Sequence, residues 1–403
     1  MNPGADRPRH TTKGRGARTF DLIIVGGGVI GVSIAERLAL EGLSVALIEA
    51  DAIGAGASGA AAGMLAPLGE AQGGGPLLDL GLQSLALFDP LCARLKEEAG
   101  IDPEFERSGL LEVALDQAEW ARLKAKRAFF GAAQSTWALP PGLELLDGQA
   151  VREAERALTP AVLGGLFSPQ EAHLRPPLFV RALAQSAMDK GVVIETGVRA
   201  ERLLRDGRRV IGVQSSAGRI EAEQVVLAAG PWSARLLEAS GLAADGHSAL
   251  PVEPIRGQII QLDPPLPGCR SLCWAPGIYT VPKRDGSWVV GATEEAVGFD
   301  RRVTAEGIAS LIERVCAVFP GLGEASFGRA WAGLRPVSQD GLPWVGPWSG
   351  CEGLFVAAGH GRNGVLLSPV TAQLIAEATL GKAPIPAAHP LSPARRSSRD
   401  SEC

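Results

Sequence analysis

FDLIIVGGGVIGVSIAERLALEGLSVALIEA, residues 20–50, decides the fold. Asp21–Val25 is a short, apolar, β-branched run with the character of a buried parallel strand, and Gly26, Gly28 and Gly31 follow as a G-x-G-x-x-G turn into a helix. The spacing has a steric cause. Gly26 permits a tight turn, Gly28 lets backbone approach a pyrophosphate, and Gly31 lets the helix pack closely on the sheet. The helical pattern ends at Glu41-Gly42, a second strand runs over Leu43–Ile48, and Glu49 closes it. A carboxylate about 20 residues beyond the glycine loop is placed to accept hydrogen bonds from an adenosine ribose. A lone glycine-rich turn would be ordinary, but strand, glycines, helix, second strand and acid in this order predict a dinucleotide site. The pattern does not separate FAD from a nicotinamide cofactor. Glu49 does argue against the 2′-phosphate of NADP, because two like charges would meet.

The 403 residues suffice for two domains with cores of their own. With 46% apolar and 21% charged residues the composition excludes general disorder, and a formal charge of −5 offers no basic footprint for nucleic acid. The six cysteines, Cys92, Cys269, Cys273, Cys316, Cys351 and Cys403, are scattered and make no disulfide framework, and no ligand spacing predicts a metal site. They read as reduced thiols of a cytoplasmic protein. Residues 1–19 are basic and glycine-rich without an apolar core, so a flexible extension is expected, and no stretch has the length of a membrane span.

Beyond Glu49, the glycine-alanine run Gly54–Leu65 suits either a flexible loop or backbone lying against a large flat ligand. Helical spacing is expected over Leu77–Glu98, Gln117–Phe130, Pro176–Met188, 304–318 and Gly364–Leu380, with a strand at Gly109–Leu115. Strands are expected at Val192–Glu195, Val198–Leu204, Val210–Val213 and Gly218–Ile220, and again at Gln224–Gly230, where an apolar strand stops at glycine before a helix. Pro251–Leu262, Tyr279–Pro282 and Ser287–Gly291 have the alternation of a separate, largely antiparallel sheet. Ala330–Arg335 and Leu354–Gly359 return to the buried character of the first sheet. The fold class is therefore α/β: a Rossmann-like dinucleotide-binding domain (20–100, 161–245 and 326–387) interrupted by a discontinuous α+β substrate domain (101–160 and 246–325). A flexible tail is expected over 388–403.

These residues resemble the glycine oxidase branch of the FAD-dependent D-amino-acid oxidase family, the branch associated with the thiazole part of thiamin synthesis. The likeness lies in IIVGGGVIG (23–31), IEA (48–50), SGAAAGML (58–65), VVLAAGPWS (225–233), YTVPKRDGSWVVGAT (279–293), WAGLRPVSQDGLPWVG (331–346) and AAGHGRNGVLLSP (357–369), in family order. It implies noncovalent FAD, with Gly26, Gly28 and Gly31 at the pyrophosphate and Glu49 at the ribose. Ser58, Ala61, Ala62, Gly63 and Met64 would line the flavin, Val198 would lie near the adenine, and Gly230 at the ligand edge of the sheet. The loop His360, Gly361, Arg362, Asn363 and Gly364 would bring N–H groups to the flavin. Arg335 would clamp the substrate carboxylate, Tyr279 would add a hydroxyl to it, and Arg362 would line the site.

Some members of the branch carry a histidine shortly before the tyrosine, where Gly277 stands here. The implied activity is oxidation of glycine and other small amino acids, with O2 reduced to hydrogen peroxide, in a cytoplasmic homotetramer. No side chain is expected as general acid or base. A quinone-linked D-amino-acid dehydrogenase, a sarcosine or proline oxidase and a non-catalytic flavin subunit of a complex are the competing expectations.

Overall fold

In the computed structural model the strand Arg18–Val25 is the middle of the first sheet, paired in parallel with Val45–Glu49 on one side and Gly218–Leu227 on the other. Val193–Thr196 extends the sheet beyond Val45–Glu49, and Leu354–Ala358, followed by antiparallel Trp344–Pro347, extends it beyond Gly218–Leu227. Residues 18–71, 73–132, 142–242, 250–264, 270–382 and 389–395 are described. The expectations for residues 1–17, Cys269, Cys403 and the last part of the tail lie outside them.

Period-2 alternation explains why this sheet is buried on both sides. Leu22 and Ile24 face the helices Val29–Leu40, Pro176–Asp189 and Gly364–Thr379, meeting Ile34, Leu183 and Ile375, while Ile23 and Val25 join Val213, Val225 and Leu237 opposite. Glu221 and Glu223 look like a break between two strands in the sequence. Gly218–Leu227 is instead one continuous strand of 10 residues. Polar side chains at alternate positions do not interrupt a ladder whose buried positions lie between them.

The second sheet has eight strands in the order Ser326–Ser338, Val252–Asp263, Trp288–Gly291, Ile278–Pro282, Leu272–Ala275, Leu110–Ala114, Gly164–Ser168 and Glu144–Asp147. All its pairings are antiparallel except Leu272–Ala275 with Leu110–Ala114. The helix Ala305–Val318 covers one face through Leu311 and Val315 against Ile260 and Val290, and Thr304 caps it by accepting from Gly307 N–H at 3.2 Å.

Strand pairing sets Gly164–Ser168 and Ser326–Ser338 in this second sheet, whereas the sequence-based boundaries group both with the first. An apolar run carries no label for the sheet it enters. The segment 389–395 is likewise no free tail. Leu391 is buried and accepts from Val345 N–H at 2.8 Å, and Arg395 bonds Asp340 at 2.7 Å while lying 3.4 Å over the Trp344 ring.

Glu171, just before the strand Ala172–His173, ties that part of the chain to the short helix Pro67–Glu70. Fully buried, it accepts from Leu68 N–H at 2.9 Å, and burial pushes its carboxyl up to about 8. An unfolded carboxyl releases its proton near 4.5, so the native state holds the extra proton between these values and loses stability as pH rises through that window. Glu171→Gln should therefore raise the melting temperature at pH 8 and leave it nearly unchanged at pH 5. A thermal melt series across that range would show the parent's slope flattened in the variant.

Candidate active site

Close packing at the first βα turn leaves one wall of a cavity made almost entirely of backbone. Gly26 adopts φ +112°, and a Cβ there would sit 2.4 Å from the Ala228 carbonyl oxygen. At Gly31 a Cβ would sit 1.9 Å from the Gly26 carbonyl oxygen. Gly28 differs: its Cβ would meet only Ser58 Oγ, at 3.3 Å, on the cavity side. The glycines at 26 and 31 thus serve chain-to-chain approach, and the one at 28 keeps space open in front of the helix N-terminus. Ser58 Oγ accepts from Val29 N–H at 2.8 Å and retains its own hydroxyl proton for donation into the cavity.

Glu49 is held as an acceptor at the end of its strand. Gly27 N–H donates to one carboxylate oxygen at 2.7 Å and Asp51 N–H to the other at 2.8 Å. Val198 lies beside it, with its N–H committed to the Glu49 carbonyl at 2.9 Å, so any further backbone contact from Val198 would come from its carbonyl. From there a cavity of about 990 Å³ runs past Gly26, Gly28, Ser58 and Gly230 to Ala61–Met64, and on to Tyr279 and Arg335. His360, Gly361, Arg362, Asn363 and Gly364 line it as well, where the helix Gly364–Thr379 begins. The site residues expected from sequence therefore line this one cavity, except Gly31, which packs against the Gly26 carbonyl behind its wall. His360 is buried with Nε2 3.1 Å from Thr371 Oγ1, and burial holds its imidazole down to about 3, so it stays neutral.

The far end of the cavity is built on the second sheet. Arg335 pairs with Ile255 across the strand register, which sets its side chain over Gly257, where a Cβ would come 2.4 Å from the guanidinium. The guanidinium donates to the Thr293 carbonyl at 3.0 Å, and among the described residues no carboxylate lies within ion-pair distance of it. Tyr279 lies over Gly291 in the same way, where a Cβ would come 2.4 Å from the phenol oxygen. Burial raises the Tyr279 phenol, with Arg335 and Arg362 acting against that rise, so it remains a neutral donor. Arg362 bonds Glu70 at 3.0 Å and lies 5.0 Å over the Trp274 ring.

Several residues that line or support the cavity are assigned no role by motif. Gly257 and Gly291 carry a usable signal, since an isolated glycine inside a strand marks close approach by another group. Gly333 is a third case: its Cβ would lie 2.5 Å from Ala60 Cβ. The small residues of the Gly54–Leu65 run thus let the second sheet lie directly against the first lobe. Lys283, buried, clips the same run by donating to the Ala62 and Leu174 carbonyls, each at 2.8 Å. Glu70 carries no local signal, because only the fold brings its short helix Pro67–Glu70 to the loop bearing Arg362.

The family model for FAD dependent oxidoreductases matches residues 21–378. The chain belongs to that family. The glycine oxidase of Geobacillus kaustophilus is 35% identical over 89% of this chain and 92% of its own length. The crystal structure of glycine oxidase from that organism superposes with a TM-score of 0.88 at 34% identity, covering 94% of this chain and 100% of its own. The bifunctional protein ThiO/ThiG of Nostoc sp. is 35% identical over 89% of this chain and 52% of its own length.

The residues present fit FAD, the cofactor of the family. An open space at Gly28 faces a helix N-terminus, where backbone N–H groups and the helix dipole favour phosphate. A fixed carboxylate stands at one end of the cavity, and a wall of alanine, glycine and methionine follows where a flat ring system needs it.

Proposed function

We propose that this member of the FAD-dependent family oxidises glycine and other small amino acids. The observation that carries the reading is Arg335, a guanidinium without a carboxylate partner among the described residues, beside the Tyr279 hydroxyl in a cavity continuous with the dinucleotide cradle. A planar fork of N–H donors matches a carboxylate through two charge-assisted bonds, and the Thr293 carbonyl holds the fork in place beforehand. The curated relatives named glycine oxidase support the substrate, and the ThiO/ThiG relative supports a place in thiamin thiazole synthesis.

FAD held by Gly26, Gly28, Ser58 and Glu49 would supply the redox chemistry, accepting a hydride from the substrate α-carbon and passing the electrons to O2 to give hydrogen peroxide. The chain's own contribution is orientation and charge. Arg335 and Tyr279 fix the acid end of the substrate, which leaves the amine and the α-carbon directed toward the wall at Ala61–Met64. No proton acceptor is needed from the protein if the amine enters neutral, consistent with a buried neutral His360 and with a Glu70 engaged by Arg362. N–H groups at the start of the helix Gly364–Thr379 face the same space and favour negative charge developing there. The imine released hydrolyses to a 2-oxo acid and ammonia. A cytoplasmic homotetramer is part of the same proposal, and among the described residues no helix is long and apolar enough to cross a membrane.

The test is an anaerobic titration of the yellow protein with glycine, sarcosine, D-alanine and D-proline, followed by admission of air. Bleaching by glycine and stoichiometric peroxide on re-oxidation are expected. Bleaching without peroxide, relieved only by a dye acceptor, would replace the oxidase with a dehydrogenase. Colour retained under all four would remove the proposed activity.

A further inference from the structure

We propose that Glu70 sets the net charge of the substrate end of the cavity, and so makes the enzyme prefer amino acids with one carboxylate over those with two. This deepens the proposed amino-acid oxidation and rests on it. Three charged groups act on the Tyr279 phenol: Arg335, Arg362 and Glu70. All three line the cavity with it. Two guanidiniums against one carboxylate leave a single positive charge, which one substrate carboxylate neutralises.

The division of labour between the two arginines follows from their partners. Arg335 meets the Thr293 carbonyl and the Tyr279 hydroxyl but no carboxylate among the described residues, so its charge is available to a ligand. Arg362 is engaged by Glu70 at 3.0 Å, and a second ligand carboxylate reaching for it would have to displace a carboxylate already there. That ligand would also meet the like charge of Glu70 in a partly desolvated space, where repulsion is far stronger than in water.

Glu70 is fixed in this role from behind. Its short helix is held by Glu171, which accepts from Leu68 N–H at 2.9 Å, and by Lys126, which donates to the Gly69 carbonyl at 3.1 Å while paired with Glu112 at 2.6 Å. Lys126 is therefore spent on Glu112 and is not a free charge in the cavity. Arg362 has an anchor independent of Glu70 in the Trp274 ring, 5.0 Å away. Removing the Glu70 charge should thus leave Arg362 in place with its charge exposed. Burial raises the Glu70 carboxyl, and Arg362, Lys126 and Arg335 act against that rise in favour of the carboxylate.

The test uses the FAD-loaded enzyme and two unreactive probes, acetate and malonate, whose binding is read from perturbation of the flavin absorbance. Glu70→Gln should raise the ratio of malonate to acetate affinity about tenfold or more, and Glu70→Asp should keep the parent ratio. Arg362→Met, which removes a positive charge instead, should lower that ratio below the parent's. In turnover, kcat/KM for iminodiacetate relative to glycine should rise in Glu70→Gln by a similar factor. An unchanged malonate-to-acetate ratio in both Glu70→Gln and Arg362→Met would overturn the proposal. The binding ratio stands apart from turnover: absence of any bleaching by glycine in the parent would defeat the amino-acid oxidase reading, whereas a constant ratio in a glycine-active enzyme would defeat only the role of Glu70.

Discussion

Arg335→Ala should lose glycine oxidation while keeping FAD and fold. Removing one member of a buried charge-assisted pair costs on the order of 2 to 5 kcal/mol, or about 30-fold to several thousand-fold in kcat/KM. The loss should fall mainly on substrate affinity, since the residue grips a group that does not react. The fold should survive because, among the described residues, the guanidinium bonds a backbone carbonyl, that of Thr293, and the Tyr279 hydroxyl, and joins no ion pair. Arg335→Lys should recover part of the loss at most, because an ammonium restores the charge without the planar fork. Gly257→Ala offers an independent approach to the same atoms. Its Cβ would intrude to 2.4 Å on the guanidinium, the movable end of a long side chain, so the strand can stay and the fork must shift. A raised KM for glycine with bound flavin unchanged is expected there, and parental kinetics in Arg335→Ala would remove the clamp from the account.

Legibility in the sequence was uneven for physical reasons. The first sheet is readable because its information is local: an apolar strand, three glycines and an acid lie within residues 21–49. The site residues were readable through the likeness of WAGLRP and GHGRNG to the family's motifs, and all but Gly31 line one cavity. What stayed hidden is set by partners distant in the chain. The Glu70–Arg362 pair joins residues 292 apart, and nothing around Glu70 announces it. The sheet assignment of Ser326–Ser338 depends on its ladder with Val252–Asp263, which hydrophobic pattern alone cannot specify. Gly257 and Gly291 fall between these cases. Their strand-interior position hints at a close approach, but only the register shows that the approaching groups are Arg335 and Tyr279.

Gly31→Ala should yield protein without flavin, and its comparison with Gly28→Ala separates packing from cofactor contact. A Cβ at Gly31 would lie 1.9 Å from the Gly26 carbonyl oxygen and 3.1 Å from its carbon. Both are backbone atoms of the turn, so no side-chain rotation relieves the clash. Either the helix Val29–Leu40 moves off the sheet, exposing Ile34 and Leu38 from the core they share with Leu183, or the turn opens. Opening the turn also disturbs Gly26, already at φ +112° and packed against the Ala228 carbonyl, and the Val29 N–H to Ser58 bond beside it. Overpacking of this kind costs about 1 to 3 kcal/mol even where side chains can adjust, and here they cannot. A lowered melting temperature and a colourless protein that excess FAD does not restore are expected. At Gly28 the added methyl meets only Ser58 Oγ, at 3.3 Å, so the fold should persist and only the affinity for FAD should fall. The contrast is read by measuring flavin stoichiometry after desalting alongside thermal melts of the apoproteins. A Gly31→Ala protein as yellow and as stable as the parent would mean that the turn does not need glycine there, and that the close helix approach is not what builds the cradle.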